Sequence, residues 1–199
     1  MKSTLTADKI ITEKQVKSLL KECQREKDQA AATGKHLKFI NDYYLISIGY
    51  NVGLRVSELA DLKWRDVSDD YLIVRCGKGG KSRTVYFGDR TEKLFQEYKN
   101  LQKLSFERKC QPEDPIFQGQ RGQLTRTAIH LRIKYWLKRV GLPESLSFHS
   151  LRHGFATRLL DNGIPLASVR DQLGHSNIST TSIYLHFTEE ARDKIRKVL

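Results

Sequence analysis

The chain has 199 residues, 39% hydrophobic and 29% charged, enough for one domain with a real core but not for two comfortable ones. Its apolar runs fall far short of a membrane span and no signal-peptide pattern opens it. Cys23, Cys76 and Cys110 suit neither a disulfide framework nor a zinc site, and read as reduced thiols of a cytoplasmic protein. A formal net charge of +12 and a pI near 9.7 point to a polyanionic partner, nucleic acid being the commonest.

Taken in chain order, residues 1–10 read as a tail. Thr12-Glu13-Lys14-Gln15 is a capping box, with Ile11 and Val16 spaced as a hydrophobic staple, and it opens the first helix. The polar, Ala- and Gly-containing stretch 25–36 is expected to end that helix. From His36 to Asn51, Leu37, Ile40, Tyr44, Leu45 and Ile48 recur at helical spacing. Gly53 is placed to close this helix and Arg55 to start a short one.

The period then changes. Tyr71-Leu72-Ile73-Val74 and Thr84-Val85-Tyr86-Phe87 are β-type runs flanking Gly77-Lys78-Gly79-Gly80-Lys81, the pattern of a hairpin tip. Further helices are expected at about 90–104, 125–140, 150–161, 166–173, 178–186 and 188–198. Gly141, Gly163 and Gly174 stand at C-cap positions, and Pro165 suits a first turn. The expectation is one domain, 11–199, mainly α with a small antiparallel β-sheet.

Several residues carry chemistry. Arg55 alone is an ordinary surface cation, paired with Glu58 at i+3. Together with Arg152 it offers two planar guanidinium forks, which match the oxygens of a phosphodiester under attack. His149 lies three residues before Arg152, so both project from one helical face. Gly80-Lys81-Ser82 imitates the end of a P-loop, but Arg75 stands where the first glycine belongs and a strand follows instead of a helix. Read alone, the Lys78 turn is simply solvated.

The stretch from His149 through Gly174-His175 to Tyr184, together with Gly53-Leu54-Arg55-Val56-Ser57-Glu58-Leu59, resembles the tyrosine recombinase (phage integrase) family. The resemblance spans about residues 8–199 and implies that family's catalytic-domain fold. It assigns Arg55 and Arg152 to the scissile phosphate, His149 to the tyrosine proton, and His175 to a phosphate hydrogen bond. Lys78 matches the hairpin lysine that protonates the departing 5′-oxygen, with Lys81 as the fallback and a phosphate contact. Tyr184 matches the nucleophile that forms a 3′-phosphotyrosine. A phenol of pKa near 10 needs a proton acceptor and a neutralised target, and the set supplies both with no metal and no cofactor. His153 and His186 read as structural.

In the helix near 125–140, Ile129, Ile133, Trp136 and Val140 form the buried stripe, while His130, Lys134 and Lys138 line another face. The bland account is a solvated basic face. The resemblance implies that the N-terminal end of this helix meets the major groove, which makes Thr125, Arg126 and Thr127 candidate DNA contacts beside Lys134 and Lys138. It also implies double-stranded DNA at specific sites as partner, a tetramer in the synapse, room for accessory DNA-bending proteins, and cytoplasmic, nucleoid-associated use without a membrane. The family's N-terminal core-binding domain is not expected within this chain, a likeness to short members such as fimbrial invertases. The implied reaction is site-specific strand exchange: integration, excision, inversion or resolution. A DNA-binding regulator and a relaxing, topoisomerase-like enzyme are the competing readings. Residues 188–198 are read as a helix that docks on a neighbouring copy or on its own domain.

Overall fold

The computed structural model describes residues 6–75, 82–175 and Thr181. Cys76, Lys78, Lys81, Tyr184, His186 and the helices expected at 178–186 and 188–198 lie outside the described residues, apart from Thr181.

Helix α1 runs Glu13–Thr33. It opens as its capping box dictates: the Gln15 N–H donates to Thr12 Oγ1 (3.3 Å) and the Thr12 N–H to Gln15 Oε1 (2.9 Å). Ile11 and Val16 are buried beside that start. The helix runs on into the stretch expected to end it, because Ala30, Ala31 and Ala32 favour helix, and stops within that stretch at the left-handed cap Gly34. Glu22 and Glu26 also tether it to Arg139 of a later helix, at 3.0 and 2.6 Å.

Helix α2 (Lys38–Val52) is apolar nearly all round, and so becomes the central element. It packs against α1, against α4 (Asp89–Phe106), α5 (Arg126–Arg139) and α6 (Phe148–Asp161). Ile40, Leu45, Ile46 and Ile48 are fully buried in that core, each worth about 1.5–3 kcal/mol. A sharp bend at Gly53 leads into the short helix α3 (Val56–Ala60). Only glycine suits the bend: its φ is +63°, and a Cβ there would lie 2.3 Å from Phe155 Cδ1.

Strands β1 (Tyr71–Val74) and β2 (Arg83–Tyr86) pair antiparallel, Tyr71 with Tyr86 and Val74 with Arg83. The second strand starts one residue before the run read from sequence. A two-rung hairpin, β3 (Gln118–Gly119) and β4 (Gly122–Gln123), was not anticipated. Its strands are too short to show a period.

In α5 the stripe is Ile129, Ile133, Trp136 and Leu137, and Val140 is a half-buried cap instead. Helix α6 begins two residues earlier than expected, where the Ser147 N–H donates to Ser150 Oγ at 3.0 Å. Helix α7 (Leu166–Leu173) follows Pro165 and packs on α6 through Phe155, Leu160, Val169 and Leu173. Residues 7–9 of the expected tail form a 3-10 turn, and the Asp8 carbonyl accepts from Ser145 Oγ at 3.1 Å. The architecture is mainly α with small antiparallel hairpins, as read from sequence. Among the described residues, no helix is long and apolar enough to cross a membrane.

Candidate active site

Arg55 caps α3. Glu58, on the first turn, reaches back so that Oε2 accepts the Arg55 N–H (2.8 Å) while Oε1 accepts Arg55 Nη1 (2.8 Å). The local sequence thus fixes the arginine at the Gly53 bend. The other guanidinium nitrogen, Nη2, donates to the Gly174 carbonyl at 3.1 Å, at the far end of α7.

Arg152 comes from the middle of α6 and converges on the same two segments. Nη1 donates to the Gly53 carbonyl (2.7 Å) and Nη2 to the Leu173 carbonyl (2.6 Å). Two arginines far apart in sequence therefore hold consecutive carbonyls, 173 and 174, where the C-terminus of α7 leaves acceptors unpaired and carries partial negative charge. They differ in depth: the Arg55 side chain is 23% exposed and that of Arg152 only 1%.

His175 follows directly, its backbone N–H donating to the Arg170 carbonyl at 3.1 Å and its Nδ1 lying 2.9 Å from Thr181 Oγ1. Burial, then the Arg152 and Arg55 charges, push its pKa down to about 3, so the imidazole is neutral near pH 7. His149, on the first turn of α6, reaches solvent. Crowding around its ring, then Arg152 and Arg55, shift it below the ordinary 6.5. His153 stacks edge-on against it at 4.6 Å, and burial, then His149 and Arg152, push it to about 3. The structure therefore gathers Arg55, His149, Arg152 and His175, four of the six residues singled out. The other two, Lys78 and Tyr184, lie outside the described residues, as does Lys81.

The candidate DNA-reading residues lie at the start of α5 and along it. Thr125 caps α5, its Oγ1 accepting the Ala128 N–H at 3.1 Å, and Thr125, Arg126 and Thr127 are all exposed. Lys138 is exposed as well, while Lys134 is half-buried with its ammonium donating to the Glu144 carbonyl.

Sequence reasoning missed what joins the site together. The spacing makes Glu58 a surface partner of Arg55, yet in the structure its side chain is 3% exposed and takes a second guanidinium, Arg83 of β2. Arg83 Nη1 and Nη2 meet the two Glu58 oxygens at 2.8 Å each, and Nε donates to the Gln172 carbonyl at 3.3 Å. Burial alone would raise the Glu58 pKa, but Arg83 and the Arg55 backbone and side-chain N–H groups outweigh it and hold it at about 2. The Glu58 signal was local, its place at i+3 of Arg55; Arg83 had none. Among the described residues, no three His, Cys, Asp or Glu side chains cluster as a metal site would require.

Comparison with known proteins bears on this arrangement. The model described as Phage integrase family matches residues 9–191. Tyrosine recombinase XerD of Chlamydia pneumoniae is 38% identical over 158 residues, covering 79% of this chain and 52% of that protein. Tyrosine recombinase XerC of Leptospira interrogans is 38% identical over 162 residues, covering 80% and 50%. The chain thus spans about half the length of the curated relatives it matches. The crystal structure of XerA recombinase superposes with a TM-score of 0.74 at 26% identity, covering 99% of this chain and 64% of that one. The post-cleavage complex of XerH with its difH substrate superposes with a TM-score of 0.77 over 97% of this chain and 54% of that one, at 24% identity, a likeness of fold.

Proposed function

The chain belongs to the phage integrase family, and from that premise we propose that it is a site-specific DNA recombinase whose catalytic domain is residues 11–199. One observation carries the proposal: Arg55 and Arg152 are held on the consecutive carbonyls of Leu173 and Gly174, beside His175. Arg55, Arg83 and Arg152 bring three positive charges against the single buried charge of Glu58, and that excess suits an anion such as a scissile phosphate.

In the proposed reaction, Tyr184 Oη attacks phosphorus and its proton passes to His149. The depressed pKa of His149 leaves it neutral and able to accept. The bond from phosphorus to the 5′-oxygen breaks, and Lys78, or Lys81 in its place, supplies the proton with which the 5′-hydroxyl departs. Arg55 and Arg152 balance the growing charge on the non-bridging oxygens, and His175 hydrogen-bonds one of them. A 5′-hydroxyl of another strand reverses the step, so the energy of the broken diester is retained. The partner is double-stranded DNA, read partly by Thr125, Arg126, Thr127, Lys134 and Lys138, with four copies of the chain in the synapse and accessory DNA-bending proteins as an aid.

The test starts from a pool of nicked duplexes of randomised sequence, incubated with the protein in EDTA. Denaturation-resistant adducts are isolated, sequenced to recover the site, and mapped by mass spectrometry. A 3′-phosphate linked to Tyr184, lost in Tyr184→Phe, is the expected result. An adduct on another residue, or none without a divalent ion, would end the proposal.

A further inference from the structure

We propose that Arg83 is a positioning residue for the arginine cluster: it neutralises Glu58 and fixes the turn at Gly174, leaving Arg55 available to the phosphate. The inference rests on the recombinase reading above.

Arg83 leaves β2 and lies between two elements that supply site residues. Both of its terminal nitrogens fork onto Glu58, while Nε reaches the Gln172 carbonyl at the end of α7. Its stem runs against Gly174, where a Cβ would come 2.7 Å from Arg83 Cδ at a residue whose φ is +65°. A second tie lies alongside. The Gln172 amide behaves as a short extra strand on β2, with Nε2 donating to the Tyr86 carbonyl (2.5 Å) and Oε1 accepting the Tyr86 N–H (3.2 Å).

Charge explains why this matters to Arg55. Glu58 is buried and ionised, and its Oε1 is shared between Arg55 Nη1 and Arg83 Nη1. Arg152 stands further off, at 3.9 Å. Without Arg83, the buried carboxylate would rely on Arg55 and draw that guanidinium away from Gly174 and from an incoming anion. The cluster would also lose one positive charge where the non-bridging oxygens arrive. Arg83 itself, 13% exposed and spent on Glu58 and Gln172, acts through these partners.

Arg83→Gln and Arg83→Lys can be compared with the unaltered chain in single-turnover cleavage of the recovered duplex at saturating protein. Losing a partner that orients a functional group typically costs about 10–100-fold, and that slowing is expected for Arg83→Gln with DNA affinity unchanged. Arg83→Lys keeps the charge but not the fork and should fall between. A duplex with a methylphosphonate at the scissile position carries no non-bridging charge, so on it the deficit should shrink towards unity. Equal slowing on both substrates, or no slowing, would overturn the inference; if Arg83→Gln does not fold, the same comparison on Arg83→Lys decides. A DNA-free readout separates the two proposals: in Arg83→Gln the backbone amide resonances of Gly174 and His175 should shift. Should the unaltered chain form no adduct, the recombinase reading fails while these resonances still report on Arg83. Unmoved resonances would count against Arg83 alone.

Discussion

The arginine cluster and the amino-terminal end of α5 are both basic, but they are built in opposite ways. In the cluster, Arg55, Arg83 and Arg152 are spent on a buried carboxylate and on the carbonyls of Gly53, Gln172, Leu173 and Gly174. At α5, the Thr125 hydroxyl caps the helix while Thr125, Arg126 and Thr127 all face solvent. The first region is extensively paired, because burying charge without partners is costly. The second is open to solvent, where the proposed DNA would complete it. Preorganisation suits stabilisation of a transition state, where reorganising at the moment of reaction would cost rate. Exposed side chains suit recognition, since they can be changed without disturbing the core.

The contrast breaks most sharply at Arg152. Arg152→Ala would leave Glu58 short of a neighbouring charge and two buried carbonyls without donors, a loss of about 3–5 kcal/mol of stability. Thermal and denaturant unfolding read this directly. A loss within about 0.5 kcal/mol, the range of a surface substitution, would show that the cluster is not preorganised.

Gly174→Ala should cost less, about 1–3 kcal/mol, from positive φ and the close approach of Arg83. Gly34→Ala serves as a control: it is also a helix cap, at φ +66°, but has open space, so the difference in midpoint between the two variants reports the Arg83 contact.

Acidification sharpens the comparison further. His153 and His175 titrate at about 3 in the folded chain and His149 also lies below its ordinary 6.5. The unfolded chain therefore binds more protons between about 6.5 and 3, so stability falls as pH drops through that window and is flat above it. Glu58, depressed from 4.5 to about 2, loses its contribution only as pH falls from about 4.5 towards 2, so the span from 6.5 to 5 reports the histidines. Melting temperature should decline over that span, and less steeply in His153→Asn.

Arg126→Ala should have the smallest effect on the fold, within about 0.5 kcal/mol. DNA binding should weaken instead, with the slope of log affinity against log salt reduced by about 1 if the residue meets a phosphate.

How much of this was legible beforehand follows the range of the interactions. The start of α1 was readable because Thr12 and Gln15 are three residues apart and satisfy each other locally. The Gly53 bend and Arg55 were readable for the same reason. The end of α1 falls inside the stretch 25–36 expected to hold it, but near its far side, since Ala30 to Ala32 favour helix and Gly34 makes the cap. The Arg83–Glu58 pair was invisible, because it joins a strand to a helix 25 residues away and no periodicity encodes that. Likewise, nothing in the spacing of Arg55 and Arg152 shows that they meet adjacent carbonyls of α7. The fold supplies that convergence, and a resemblance could only suggest it.

In the proposed recombinase the arginine cluster performs chemistry and the start of α5 performs recognition. Measuring DNA affinity and the saturated single-turnover cleavage rate together, for Arg55→Lys and Arg126→Ala on the same duplex, tests it most directly. Arg55→Lys, which keeps charge but loses the fork, should bind nearly as well as the unaltered chain and cleave about 100–1,000-fold more slowly. Arg126→Ala should bind more weakly and cleave at the unaltered rate once saturated. A cleavage defect in Arg55→Lys that saturation abolishes, or one in Arg126→Ala that it does not, would contradict the division between the two regions.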